Sequence, residues 1–158
     1  MGDAILAFWN APLDQADHAQ RACNAALAII ARVSDLNLVW RKEAETAGRS
    51  FEDVRIGVGV NSGECCVGNL GSEQLFDYTV AGDGVNVGAR VESLNKEYET
   101  ATSIIISETT YLAAQEVLDV RRLGEATVHE AMTIHRLLEY SPHDGGFQRD
   151  PVDEGDFR

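Results

Sequence analysis

Apolar residues recur at intervals of three and four along Ala19, Ala22, Cys23, Ala26, Leu27 and Ile30. That is the period of one buried face of an α-helix. A long amphipathic helix is expected there, running towards Arg41, with the charged 42–50 segment as its frayed end or a loop. Asp14 and Asp17 both suit its N-cap, and the sequence does not choose between them. Upstream, Ala4 to Trp9 is a short apolar run with aromatic character that stops at Asn10 and Pro12, and it reads as a strand. Val54 to Val60 alternates and is rich in β-formers. Asn61-Ser62-Gly63 signals a turn, and Glu64 to Asn69 reads as a second strand, so the two form an expected hairpin.

Further on, Asp77 to Ala81 extends the sheet. Gly82 to Asn95 reads as a helix with Val87, Val91 and Leu94 as its buried stripe, and Gly84 and Gly88 permit close packing or close ligand approach. Ser103 to Ile106 is an apolar strand. Burying its isoleucines contributes about 1.5–3 kcal/mol each. Ser107 and Glu108 open a short helix to about Gln115, and strands near Ala126 and over Met132 to Tyr140 close the pattern. Alternating strands and helices predict an α/β (α+β) domain with a central, mostly antiparallel sheet and helices on one face, ferredoxin-like in layout. It would fill residues 1–140. Residues 141–158 are polar and rich in Gly, Pro and Asp, and are expected to be a disordered tail.

Composition narrows the class. The chain of 158 residues carries 26 acidic and 13 basic residues, for a formal net charge of -13. Its length suits a single core. A nucleic-acid or anionic-membrane surface needs a basic patch, so neither partner is expected. A nucleotide ligand is still allowed, because a site needs only a few local cations. No apolar run approaches the length of a membrane span, and the N-terminus lacks a signal-peptide layout. Cys23, Cys65 and Cys66 are too few and wrongly spaced for a disulfide framework or zinc site. Reduced, buried or half-buried thiols in a cytoplasmic protein are expected. His18, His129, His135 and His143 show no shared metal spacing, and His18 is expected on a solvated helix face.

The densest chemistry lies in Phe76-Asp77-Tyr78-Thr79-Val80-Ala81-Gly82-Asp83-Gly84-Val85-Asn86-Val87-Gly88-Ala89-Arg90. It reads as a strand, a glycine turn and a helix opening at Asp83, a suitable N-cap. Asn86 and Arg90 then stand one helical turn apart on the same face. An amide and a guanidinium so placed are suited to a sugar and a phosphate. The pattern Tyr-Thr-Val-x-Gly-Asp-x-Val-Asn-x-x-x-Arg resembles the signature of class III nucleotidyl cyclases, which make cyclic AMP or cyclic GMP. Met1 to Pro12 resembles the second half of that family's metal-binding hairpin, and Arg55 to Ser72 resembles the two strands before the signature. The similarity runs from Met1 to about Tyr140 and is nearest to bacterial adenylate cyclases that carry upstream sensor and membrane segments.

The resemblance implies specific roles. Asp3 is one of two aspartates that bind a pair of Mg²⁺ (or Mn²⁺) ions, hard cations that favour carboxylate and phosphate oxygens. From the dipeptide alone, Gly2-Asp3 reads first as a plain hairpin turn; the resemblance is what favours the metal role. Asn86 orients the ribose and Arg90 stabilises charge on the α-phosphate in the transition state. Thr79 takes the position that contacts the purine, though Thr is also simply a good strand residue. The expected reaction is ATP to cyclic AMP and pyrophosphate, in a head-to-tail homodimer or with a complete cyclase partner chain. Asp3 of one chain would face Asn86 and Arg90 of the other, and the domain would be cytoplasmic or the cytoplasmic part of a membrane-attached protein.

The departures from the family pattern matter equally. Nothing in the sequence corresponds to the first metal aspartate or to the adenine-reading lysine. The segment Leu123-Gly124-Glu125-Ala126-Thr127-Val128-His129-Glu130 lacks the family's triphosphate-binding lysine. An N-terminally truncated cyclase domain with impaired activity is therefore expected. The alternative is a non-catalytic cyclase-like module that dimerises or binds nucleotide. Gly82-x-Gly84-x-x-x-Gly88 also approaches a dinucleotide-binding turn, but such a turn follows the first strand of a parallel unit, and here a hairpin precedes it.

Overall fold

A computed structural model describes residues 4–72, 75–98, 100–114, 119–127 and 134–141. In chain order the elements are α1 (His18–Thr46), β1 (Val58–Val60), β2 (Cys66–Ser72), β3 (Leu75–Ala81) and α2 (Asp83–Ser93). A 3-10 turn over Leu94–Lys96, β4 (Ile104–Ser107), α3 (Glu108–Ala113), β5 (Asp119–Thr127) and β6 (Ile134–Ser141) follow. Strands β1, β4, β6 and β5 form one sheet in that order, and β2 pairs with β3 in a separate two-stranded sheet. β1 runs parallel to β4, whereas β4–β6, β5–β6 and β2–β3 are antiparallel. The mixed, mostly antiparallel α+β class is as expected.

The core is organised by β4. Ile104, Ile105 and Ile106 are all fully buried, and successive strand side chains point to opposite faces. Ile104 and Ile106 pack with Ala19, Cys23 and Ala26 of α1, together with Ala114 and Leu138. Ile105 packs on the other side with Val87, Val91 and Leu94, the expected stripe of α2. Helices therefore cover both faces of β4, not one. The sequence-level expectation failed because an all-isoleucine strand carries no alternation to mark a solvent face.

Three other expectations are corrected. The expected hairpin of Val54–Val60 with Glu64–Asn69 does not form: Val58, Gly59 and Val60 pair with Ile104, Ile105 and Ile106, and the hairpin is β2 with β3, Cys66 opposite Ala81. Asn61-Ser62-Gly63 lets the chain leave one sheet for the other instead of folding back. Ala4–Trp9 is irregular, with Ile5 93% exposed. It forms no ladder with a described strand, and strand hydrogen bonds require a neighbour. Its anchor is Phe8, whose ring lies 6.0 Å from that of Tyr78 in β3. Cys65 and Cys66 are exposed, and only Cys23 is buried.

Helix α1 extends beyond Arg41 to Thr46. Its second half clamps the segment before β1. The Arg41 guanidinium donates to both oxygens of Asp53 at 2.7 and 2.6 Å. The Asn37 amide donates to the Val54 carbonyl and accepts from the Val54 N–H, both at 2.9 Å. Asn37 thus serves Val54 as a neighbouring strand would. At the other end Asp17 is the N-cap residue, yet its side chain makes no capping bond. Its carboxylate accepts from Arg21 Nε at 2.7 Å instead. His18 is half-buried, its Nδ1 3.0 Å from the Gln15 carbonyl oxygen, so it is less solvated than expected. By length and composition α1 is also apolar enough to cross a membrane. Here Ala19, Ala22, Cys23 and Ala26 bury one face of its N-terminal half, while Ile29, Leu38 and Val39 are exposed. Ser141, expected in the tail, ends β6; residues 142–158, with His143, lie outside the described residues, as does His129.

Two predictions follow from this packing. A Cβ on Gly59 would overlap the Glu92 backbone nitrogen and sit 2.7 Å from the Gly88 carbonyl oxygen. Backbone atoms cannot give way as a flexible side chain can, so Gly59→Ala should cost about 1–3 kcal/mol or more, read from urea unfolding. Burial pushes the Cys23 thiol up to about 12 from 9.0. The folded chain therefore holds a proton that the unfolded chain loses, and stability should fall as pH rises through that window. A thiol reagent at pH near 8 should titrate Cys65 and Cys66 at once and Cys23 only after denaturation.

Candidate active site

The chain enters the site along β3 and turns at Gly82. Gly82 has φ of 140°, a conformation that side chains with a Cβ rarely adopt. It occupies the N-cap position of α2, so Asp83, expected as the cap, is instead the first helical residue. A carboxylate there still complements the positive end of the helix dipole. No side-chain cap bond closes the helix start.

From this start α2 presents two kinds of surface. Val87, Val91 and Leu94 are buried at its inner side. Asn86 and Arg90, one turn apart, are exposed. Neither side chain has a hydrogen bond or ion pair with another described residue, and the ion pairs described are Arg21–Asp17 and Arg41–Asp53. An unpaired guanidinium in a chain of net charge -13 is free to meet an anion. Thr79 lies in β3 opposite Gly68 and is half-buried. Thr79, Asn86 and Arg90 are therefore linked by one continuous strand–turn–helix unit. Asp3 lies outside the described residues. Among those described, no group of three or more His, Cys, Asp or Glu side chains gathers.

A polar cluster beneath α2 was read from sequence only as a turn. Asn61 Nδ2 donates to the Gly84 carbonyl at 3.0 Å, and Asn61 Oδ1 accepts from Thr109 Oγ1 at 3.2 Å. Ser62 Oγ donates to Thr110 Oγ1 at 3.2 Å, and Thr110 Oγ1 lies 3.3 Å from the Val60 carbonyl oxygen it can donate to. Ser107 Oγ lies 2.8 Å from Thr109 Oγ1 and 3.1 Å from Thr110 Oγ1. It also accepts from the Thr110 N–H, which makes it the N-cap of α3. Ser107 and Thr110 are fully buried, and their hydroxyls are satisfied within this cluster. The sequence signal was present: a Ser-x-Thr-Thr run at a helix start and an Asn directly after a strand.

The profile of the adenylate and guanylate cyclase catalytic domain matches residues 1–139. Adenylate cyclase 1 of Rhizobium meliloti (strain 1021) is 34% identical over 138 residues, which are 87% of this chain and 20% of that protein. The chain thus spans about a fifth of that relative's length. Among solved structures, the guanylyl cyclase Cya2 superposes with a TM-score of 0.70 at 27% identity, covering 90% of this chain and 68% of that one. The adenylyl cyclase CyaB from P. aeruginosa superposes with a TM-score of 0.64 at 26% identity, covering 87% and 67%. The chain belongs to the adenylate and guanylate cyclase catalytic domain family.

Proposed function

We propose that this domain supplies the ribose- and phosphate-binding half of an adenylate cyclase site, which turns ATP into cyclic AMP and pyrophosphate. The observation that carries the proposal is the exposed Asn86–Arg90 pair on α2, without a partner among the described residues, directly after the strand that holds Thr79. In the reaction the ribose 3′-oxygen attacks the α-phosphorus and loses its proton, and the bond to the pyrophosphate oxygen breaks. Negative charge builds on the equatorial phosphate oxygens. Arg90 offers a planar guanidinium to those oxygens, and its charge persists at any working pH. Asn86 has a donor and an acceptor for the ribose. Thr79 offers a hydroxyl to the purine edge. The choice of ATP over GTP rests on Thr79 and on the similarity to Adenylate cyclase 1.

Asp3 is the proposed ligand for Mg²⁺ or Mn²⁺, which would supply charge neutralisation at the triphosphate. One carboxylate is a thin seat for such an ion. This favours a paired arrangement in which a second cyclase chain contributes ligands opposite Asn86 and Arg90. The domain is placed in the cytoplasm, where ATP is abundant. A second reading, a module that dimerises or binds nucleotide without turnover, is favoured by the absence of a metal-ligand cluster among the described residues.

The test mixes this chain with a complete cyclase whose equivalent arginine has been removed, and measures cyclic AMP and cyclic GMP from ATP and GTP. Cyclic AMP synthesis should be partly restored. Arg90→Ala in this chain should reduce it about 10²–10³-fold, the usual cost of losing one preorganised donor to transition-state charge. Because Arg90 is exposed and has no partner among the described residues, the same change should move the unfolding free energy by less than about 0.5 kcal/mol. A mixed dimer that forms without gaining activity would overturn the assignment of Asn86 and Arg90. Nucleotide binding without turnover would favour the second reading.

A further inference from the structure

We infer that Asn61 is a positioning residue that sets where α2 carries Asn86 and Arg90, and that Thr109 holds Asn61 in that role. The inference rests on the reading of Asn86 and Arg90 given above. The geometry is specific to an amide. A backbone carbonyl only accepts, so the atom facing Gly84 O must be the Asn61 nitrogen, 3.0 Å away. Asn61 Oδ1 is then left to accept from Thr109 Oγ1. One side chain thus ties the first turn of α2 to the first turn of α3. Gly84 stands two residues before Asn86. The same side chain also lies under the next turn, since a Cβ on Gly88 would sit 3.8 Å from Asn61 Cβ.

The tether is itself held. Val60 and Ser62, on either side of Asn61, are both bonded to Thr110 Oγ1. Thr110 is fully buried and joined to the equally buried Ser107. Asn61 therefore projects from a fixed backbone towards a helix start that lacks a side-chain cap of its own. The remaining fixation of α2 comes from Val87, Val91 and Leu94, apolar contacts that resist separation but tolerate sliding. A directional bond at Gly84 specifies the position that these contacts leave loose. Misplacement of a reacting group by about 1 Å can cost about 10²-fold in rate.

The test uses the mixed assay above, with the Asn86/Arg90 half supplied by this chain. Asn61→Asp keeps the shape but replaces the donor with an oxygen facing an oxygen. Its kcat should fall about 10–100-fold, while KM for ATP stays within about threefold. That split marks an interaction placed for the transition state, not general binding. Thr109→Val removes the hydroxyl that bonds Asn61, at an exposed position. It should lower kcat in the same sense, and Thr109→Ser, which restores the hydroxyl, should recover it. A merely structural role would not give this rescue at unchanged KM. The Thr109 pair decides the matter should Asn61→Asp not fold. If Arg90→Ala abolishes turnover while folded Asn61→Asp and Thr109→Val keep kcat within about twofold, Asn61 does not position the site. A raised KM at unchanged kcat overturns it equally. If Arg90→Ala has no effect, the reading of the catalytic pair fails, and the role of Asn61 falls with it.

Discussion

The seating of α2 against β1 and β4 is the constraint on which the rest of the structure depends. Ile105 is fully buried and is the apolar floor on which Val87 and Val91 of the helix, and Leu94 just after it, pack. Gly59, its partner across the parallel ladder, has no side chain, and the helix backbone at Gly88 and Glu92 fills that space. Side chains standing out of the pleat normally hold a helix off the sheet beneath it. Here the missing Cβ draws the helix in at one point. That contact fixes the depth of α2, and with it the height at which Asn86 and Arg90 stand above the sheet. On the opposite face, Ile104 and Ile106 hold α1. A single strand thus couples the long helix to the helix that carries the candidate chemistry.

Much of this was legible in the sequence where a pattern repeats. The α1 stripe and the Val87, Val91, Leu94 stripe follow helical spacing, and both proved buried except for half-buried Leu27 and Ile30. The strand–glycine–helix unit from Thr79 to Arg90 was readable because φ of 140° at Gly82 needs glycine. Strand pairing was less legible, because alternation specifies a face and not a neighbour. Val58–Val60 looks the same beside β2 as beside β4, and only the long-range ladder to Ile104–Ile106 decides. For Ala4–Trp9, composition favoured a strand, but a strand exists only by pairing. Its one described anchor is an aromatic contact to Tyr78. The Asn61 cluster showed only as separate local signals for a related reason: its two halves lie 48 residues apart in the chain.

The candidate site combines firm support from below with openness above. Beneath α2, buried hydroxyls are paired among themselves and with the Val60 carbonyl, as buried polar groups must be. On its outer side Asn86 and Arg90 have no described partner. In water a guanidinium gains little from a nearby anion, since the solvent screens the pair. The same group does far more where water is excluded and its position is fixed beforehand. Arg90 stands exposed on a helix that the core holds in place. For it to stabilise a transition state, the nucleotide and a further surface must cover it together. In the proposed shared site the two needs would divide between two chains: this one would provide the rigid floor and the oriented side chains, and a partner the cover. That proposal draws on an exposed cation on a helix that the core holds in place, and not only on the metal ligands.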